Sequence, residues 1–578
     1  MLKIGGGWLG RSLNAALTVP RGVTSYHFSS LDSFKADAPS SVTFATTRAA
    51  PDPSEYLAPN PNLDYQYGQY FLFVQDSVRV TPRLLLNGGV RYEFFGAPTN
   101  VGSEKDSLVQ LGPGTSFPER LSSAAFSAPG PGNQPLYSTD RSNWGARAGF
   151  ALNLQRNGKS IFRGGYGIFY DRPFDNLWLD LSLNNTMDGS ASFTRGATIN
   201  YLQPLQTVLA NVQIDRSELL PLAFFQPGLH TPYAHSFFAG IQQAISSTWS
   251  IDVNYSGSLG RRLLTTDLVN RIYSTCPPHG PGICRYNPNY NDDFAYLANE
   301  GGSDYHALTA SSSLRLPLVL LGVNYTWSHA IDNQTEPLAG LAANLEVASL
   351  TGSGIQARPA QFTEQFNSRG DRGSSDFDQR HNLTFYSTWS IPVATDRWAG
   401  LWRGWRISQI GAIRSGQPYT VYASGIPDSS TYAPNAPGVI TYNRADLVAS
   451  GSSPPTCMCQ GGVRLLNPND FADPVNALGN TTRNEFRGPG LYSIDLSLSR
   501  TFALPWISEA GRLILRADAY NALNHANLNN PSVAAVSYGS QTFGVALYGR
   551  QDIASSLPVA SPLNETARQL QLMLKIVF

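Results

Sequence analysis

RQLQLMLKIVF, residues 568–578, admits one ready reading. Leu570, Leu572, Leu574, Ile576 and Phe578 fall on one face of an extended chain, and Gln569, Gln571, Met573, Lys575 and Val577 on the other. Successive side chains of a strand point to opposite faces, so this is a strand with one apolar side. Working outward, the same period recurs in YSIDLSLSR (492–500), where Ile494, Leu496 and Leu498 oppose Ser493, Asp495, Ser497 and Ser499. It recurs in WSIDVNYS (249–256) and LGVNYTWS (321–328), while helical periodicity is almost absent.

Read this way, the chain carries fourteen strands: 1–9, 66–79, 83–95, 144–154, 159–170, 235–243, 248–257, 304–313, 319–329, 380–391, 404–415, 491–502, 511–521 and 567–578. Alternation is mixed in 1–9, 304–313 and 404–415. The connections alternate strictly between short ones of roughly 3 to 12 residues and long ones of roughly 45 to 75, whereas a compact soluble domain seldom holds even one structureless loop that long. The short ones include Thr81-Pro82, QRNG at 155–158, Ser246-Ser247 and the segment around Trp506. Tight turns at one end and long loops at the other are what a transmembrane β-barrel requires. With the last strand ending in the periplasm, parity places every long loop outside the cell.

The side-chain chemistry agrees. Inside a bilayer only helices and closed sheets satisfy the backbone, so each strand must show lipid an apolar face. The opposite faces here carry Ser, Thr, Asn, Asp, Arg and Gln, which suits a wet interior. Trp144, Trp249, Trp327, Trp389 and Trp405 fall near strand ends, where an interfacial aromatic girdle belongs. A soluble sandwich or propeller would leave the loop asymmetry and strand lengths unexplained. The expected fold is an all-β, antiparallel outer-membrane β-barrel.

Composition narrows the function. The 578 residues hold 41 basic and 41 acidic side chains; that zero net charge argues against a nucleic-acid binder, which needs a basic surface to neutralise phosphates, and no nucleic-acid partner is expected. No run approaches eighteen apolar residues, so no transmembrane helix is predicted. The N-terminus, MLKIGGGWLGRSLNAALTV, lacks the continuous apolar core of a secretory signal.

Several blocks together resemble the barrel of the TonB-dependent transporters, and within them the Oar-like subfamily. They are GQYFLFVQDSVRVTPRLLLNGGVRYEFFG (68–96), SIFRGGYGIFYDR (160–172), NYTWSHAIDN (324–333) and DRGSSDFDQRHNLTF (371–385). GWRISQIGAIRSGQPYTV (404–421), RNEFRGPGLYSIDLSLSRTF (483–502) and RADAYNALNHAN (516–527) follow in order. The resemblance implies a Gram-negative outer membrane and uptake of a bulky extracellular solute, with energy coupled through a TonB-type protein. It also implies that Leu570, Leu572, Leu574, Ile576 and the terminal Phe578 resemble the signal by which the barrel assembly machinery recognises such strands. Besides that machinery, the expected partners are outer-membrane lipid and an unidentified solute, with the protein a monomer.

The departures from that family are as informative. Its members have a signal peptide, a β-sandwich module, a coupling box, a plug and a 22-stranded barrel wide enough to need plugging. None of the first four is recognisable here, and fourteen strands fall eight short. MLKIGGGW resembles the middle of a barrel strand, and an upward first strand fits the ninth position by parity. Residues 1–578 therefore read as one partial receptor-type barrel with long extracellular loops, the later strands of a longer, truncated or split transporter. Any energy coupling would then act through the missing plug.

Other motifs have plainer accounts. Gly5, Gly7 and Gly10 match a dinucleotide fingerprint, but no βαβ pattern follows, so strand glycines are the better reading. Cys276 and Cys284 bracket PPHGPGI in a long loop, with His279 between them. A loop disulfide is favoured there over a metal site. Cys457-Met458-Cys459 could hold a soft metal, yet a loop disulfide of open connectivity is favoured again. Asp371, Arg372, Asp376, Asp378, Arg380 and His381 form the most chemically loaded stretch. It could bind a cation or do acid–base work, but a salt-bridged, turn-capping junction is the leading account. Arg91, Glu93, Arg147, Arg163, Asp252, Asp495, Arg516 and Asp518 are candidate lumen-lining residues, with mixed signs that suit mutual pairing. No cofactor, metal or catalytic residue is assigned, and no enzyme is expected. A surface-binding or adhesive barrel and a plugless passive pore are the alternatives.

Overall fold

A computed structural model describes the chain apart from residues 17–23, 50–54, 61, 127–134, 156, 174, 176–177, 179, 195, 197, 219–221, 272–284, 291–292, 338–359, 392–403, 424–443, 450–453, 455–460, 475–477, 532–542 and 549–566. Fourteen long strands run through the described residues: β1 (Leu2–Ala16), β2 (Asn62–Thr81), β3 (Leu84–Phe95), β4 (Trp144–Asn153), β5 (Ser160–Tyr170), β6 (Tyr233–Ala244) and β7 (Trp249–Val269). They continue with β8 (Phe294–Arg315), β9 (Val319–Asp332), β10 (His381–Ser390), β11 (Trp405–Arg414), β12 (Leu491–Ala503), β13 (Arg512–Tyr520) and β14 (Gln569–Val577). Each of the fourteen sequence segments has its strand. Every consecutive pair is antiparallel, giving one continuous meander from β1 to β14. Among the described residues β1 pairs only with β2 and β14 only with β13, so no pairing between them closes the sheet.

Three strands run well past expectation, the first being β1, which continues to Ala16 instead of ending at residue 9. β7 and β8 span Trp249–Val269 and Phe294–Arg315, far past the expected 248–257 and 304–313. Their hairpin runs past the ends of its neighbours β6 and β9, and its connection shrinks to residues 270–293 instead of a loop of the expected length.

Register settles the two faces, because directly opposed residues of an antiparallel pair share a side. Arg163 lies opposite Gly240, Gly240 opposite Asn254, and Asn254 opposite Thr309. Asp252 leads through Ser311, Asn324, Thr384 and Ala412 to Ser493, and Ser497 lies opposite Asp518. From β7 to β13 this side is mainly polar. The other carries Ile4, Trp8, Leu72, Trp144, Trp327, Leu572 and Leu574, from 56 to 84% exposed. Such an apolar, uncovered surface is stable only where hydrocarbon rather than water meets it.

The buried core lies at the loop end of the sheet. A four-stranded sheet of Ser25–His27, Ser41–Thr47, Thr186–Ser192 and Asp215–Glu218 packs Val42, Phe44 and Ala191 against Leu209 and Ile214. Leu222–Phe225 runs parallel to Phe294–Leu297 of β8. Its alternation feeds two clusters: Leu222 and Phe224 join Val269, Phe294 and Tyr296, while Ala223 and Phe225 join Trp178, Leu181 and Leu297. A fourth cluster gathers Tyr419, Val421, Ala445, Phe471 and Phe543. Each large side chain so buried contributes about 1.5–3 kcal/mol.

Candidate functional site: the loop layer and the polar face

Buried polar groups fix the loops to one another. The Asn184 side chain donates to the Ala223 carbonyl (2.7 Å) and accepts from the Ala223 amide (2.9 Å), so it completes a backbone-like pair between two distant segments. Asn287 donates to the carbonyls of Leu121 and Ala124 at 3.0 and 2.8 Å. Asp267, fully buried at the top of β7, pairs with Arg271 at 2.5 Å and accepts the amides of Phe362 and Phe366. That carboxylate helps to bind the 333–380 loop to the β7–β8 hairpin, beside the bonds of Thr266 to Gln334 and of Arg271 to Thr363.

The loaded stretch 371–381 is built in the same way. Asp371 accepts from the Thr363 amide and hydroxyl and pairs with Arg444 at 2.6 Å. Asp378, 1% exposed, accepts the Ala330 amide and pairs with Arg380 and Arg487. Asp376 faces Arg483 and Asn484, and Arg483 also holds Asp332 at 2.6 Å. Arg372 reaches Asp304 on β8, and the His381 ring meets the Tyr325 hydroxyl. The three carboxylates face arginines from the 415–490 loop rather than one another. The geometry is that of a cross-brace, with the His329 ring 3.8 Å from the Asp378 carboxylate beside it.

The eight candidate lumen residues all fall on the polar face by register. Arg91 pairs with Glu93 at 2.9 Å, Arg163 with Asp252 at 3.1 Å, and Arg516 with Asp518 at 2.7 Å. Arg147 stacks over Phe169, and Asp495 accepts the Asn521 amide. Leu570, Leu572, Leu574 and Ile576 share the opposite face of β14, with Phe578 just past it and 87% exposed. Gly5, Gly7 and Gly10 lie within β1, with no helix following in the strand. A Cβ on Gly5 or Gly7 would come within 2.8 Å of the Phe73 or Phe71 ring, so these glycines let two aromatics lie flat across the strand. Cys276, His279, Cys284, Cys457 and Cys459 lie outside the described residues.

One carboxylate links two loops. Asp140 accepts from the Ser142 hydroxyl and amide, the Thr231 amide and the His230 ring. Burial opposes its ionisation, but these hydrogen bonds outweigh the burial and hold its pKa down at about 2.

Sequence reading missed a repeated aromatic device. The Tyr166, Tyr255 and Tyr325 hydroxyls lie 2.6, 2.7 and 2.8 Å from the Nδ1 atoms of His235, His306 and His381, with each pair of rings stacked. All three pairs occupy the apolar face, diagonally across neighbouring strands. Tyr and His at matching phases of successive alternating segments were the available signal.

No curated protein matches in sequence. Among solved structures, the outer-membrane transporter YddB from Escherichia coli is similar with a TM-score of 0.41 and 10% identity, over 92% of this chain and 59% of that one. The ferripyoverdine receptor of the outer membrane of Pseudomonas aeruginosa, bound to ferripyoverdine, gives 0.38 and 10%, over 99% and 48%. The copper transporter OprC gives 0.38 and 8%, over 92% and 53%. The chain thus spans about half to three-fifths of the length of these structures. Residues 2–571 match the model of the outer membrane beta barrel domain. The chain belongs to that family, and its place is the outer membrane.

Proposed function

We propose that this chain is the barrel portion of an outer-membrane receptor that imports a bulky solute, with energy supplied by a TonB-type protein. The observation that carries the reading is the loop layer. Long segments on one end of a membrane-spanning sheet are packed into buried clusters and fastened by buried ion pairs, which makes a preformed surface rather than loose linkers. The seven sequence blocks that resemble Oar-like transporters support it. In this reading the loop end faces the exterior and the polar face of the sheet lines the passage. Further strands complete the barrel between β14 and β1, and a plug gates it.

The test is the genomic sequence immediately before the Met1 codon. An in-frame plug and preceding strands are expected. A stop codon and promoter there would overturn the coupled-receptor reading, and steady conductance in planar bilayers would then identify a pore.

A surface-binding role is favoured by one separate observation. Tyr26, Phe28, Phe34 and Tyr201 form an aromatic group in the loop layer, beside Leu31 and Leu202, which are 67 and 84% exposed. Loss of cell or polymer adhesion in Phe34→Ser, with solute uptake unchanged, would support that second role.

A further inference from the structure

Three guanidinium groups stand on the lipid-facing side of the sheet, directly above the tyrosine–histidine row. Arg261 of β7 lies opposite Tyr233 of β6, hence on the apolar side. The β7–β8 register shifts between Gly260 and Leu263, and Arg262 takes a φ of 53°, in the left-handed region. That bulge re-aims Arg262, which strict alternation would send to the polar side. Its guanidinium instead lies 6.0 Å from the centroid of the same Tyr233 ring. Arg372 reaches the same surface from the 333–380 loop.

One carboxylate serves two of them. Asp304, two residues above His306 on β8, is 2.8 Å from the Arg261 Nη2 and is shared with Arg372. Arg262 is exposed and makes no ion pair among the described residues. The Arg261 and Arg372 side chains keep 39 and 48% of their surface open. Below them, Tyr233 packs edge-on against His235, which stacks on Tyr166, and Tyr255 stacks on His306. A cationic cluster resting on an aromatic row fits a ligand with an anionic head and an apolar body.

We propose that Arg261, Arg262 and Arg372 form a binding site for the phosphorylated headgroup of a bilayer lipid, its acyl chains lying down the apolar face below. Arginine suits this because its planar fork matches phosphate oxygens. Free phosphate would leave the aromatic row without a role. The lipid is assigned to the outer leaflet, as a bis-phosphorylated glycolipid, and that part rests on the reading that the loop end faces the exterior.

The test is native mass spectrometry of the full chain folded in detergent, with bis-phosphorylated lipid A as the probe. Retention is expected for lipid A and not for its dephosphorylated analogue. Each arginine removed is expected to weaken binding about fivefold, the effect of one cation at a charged membrane surface. Arg261→Gln/Arg262→Gln/Arg372→Gln measures the whole site. If that variant fails to show the heat-modifiable migration of a folded barrel, Arg262→Gln decides alone, since it leaves Asp304 paired. Unchanged affinity in Arg262→Gln, or equal retention of both lipids, would overturn the proposal. Displacement of lipid A by excess inorganic phosphate would overturn it too, leaving a simple anion site. Protease treatment of intact cells reads orientation separately. Cleavage of the loops supports the outer-leaflet assignment, and protection overturns that assignment while the detergent result stands.

Discussion

The membrane-spanning sheet and the loop layer use the same apolar amino acids in opposite ways. On the sheet, Leu572, Ile4 and Trp8 stand 84, 72 and 75% exposed, and from β7 to β13 the other face is mainly polar. In the loop layer, Trp178, Phe294 and Phe362 are 0–1% exposed, and buried carboxylates meet buried arginines. The sheet is stabilised by strand pairing and by lipid around it, so it needs no core of its own. The loop layer faces water and must be built like a small soluble domain, with apolar clusters and buried charges held in pairs. The two regions should therefore fail independently, and for different substitutions.

The sharpest way to break that comparison is Asp267→Ala. It strands Arg271, 3% exposed on its side chain, and frees the Phe362 and Phe366 amides. Removing one partner of a buried ion pair costs about 3–5 kcal/mol. Protease should then cleave within 333–380 while the barrel keeps its heat-modifiable migration. Loss of both together would show that sheet and loops fold as one unit.

The reciprocal experiment places a charge on each face of β14. Leu572→Arg is expected to destabilise the sheet by about 2–4 kcal/mol if it lies near the bilayer midplane, and Gln571→Arg to cost little. Urea unfolding in lipid vesicles measures both, and a reversed order would sink the face assignment. A smaller effect, confined to the loops, is expected of Asn184→Ala. It leaves the Ala223 amide and carbonyl without partners in a buried setting, at about 1–3 kcal/mol. Faster proteolysis near residues 184 and 223, with unchanged sheet stability, is the expected readout.

This division also explains what could be read from the sequence. The strands were legible because lipid on one side and polar groups on the other impose a period of two on every segment. Where that contrast ends, so did the reading. The upper part of β8 buries Phe294, Ala295, Tyr296, Leu297 and Ala298 in succession, because loops cover both of its faces. Alternation vanishes there, and the extension of the β7–β8 hairpin went unseen. The loop layer was less legible still. The 371–381 stretch stood out by composition, but its partners Arg444, Arg483 and Arg487 lie in another long loop with no periodicity to tie them to it. The bulge at Arg262 depends on a local register shift that alternation alone cannot reveal.

The smallest effect to expect concerns acid and again separates the regions. Asp140 joins the 96–143 loop to the 171–232 loop through Thr231 and His230. Its pKa of about 2 lies below that of an unfolded aspartate, near 4. A carboxyl with a lowered folded-state pKa adds stability that is fully present above about pH 4 and is lost as the pH falls through about 2. Acidification across that window should loosen the contact between these two loops. The sheet should remain intact, since its pairing is backbone-to-backbone. Asp140→Asn keeps an acceptor but cannot titrate, so the contact should be weaker at neutral pH and lose the part of its acid response that Asp140 supplies. Hydrogen exchange at the Thr231 amide, followed from pH 5 to pH 2 in both proteins, reads this directly. An equal acid response in the variant would mean that another carboxylate governs the loop layer.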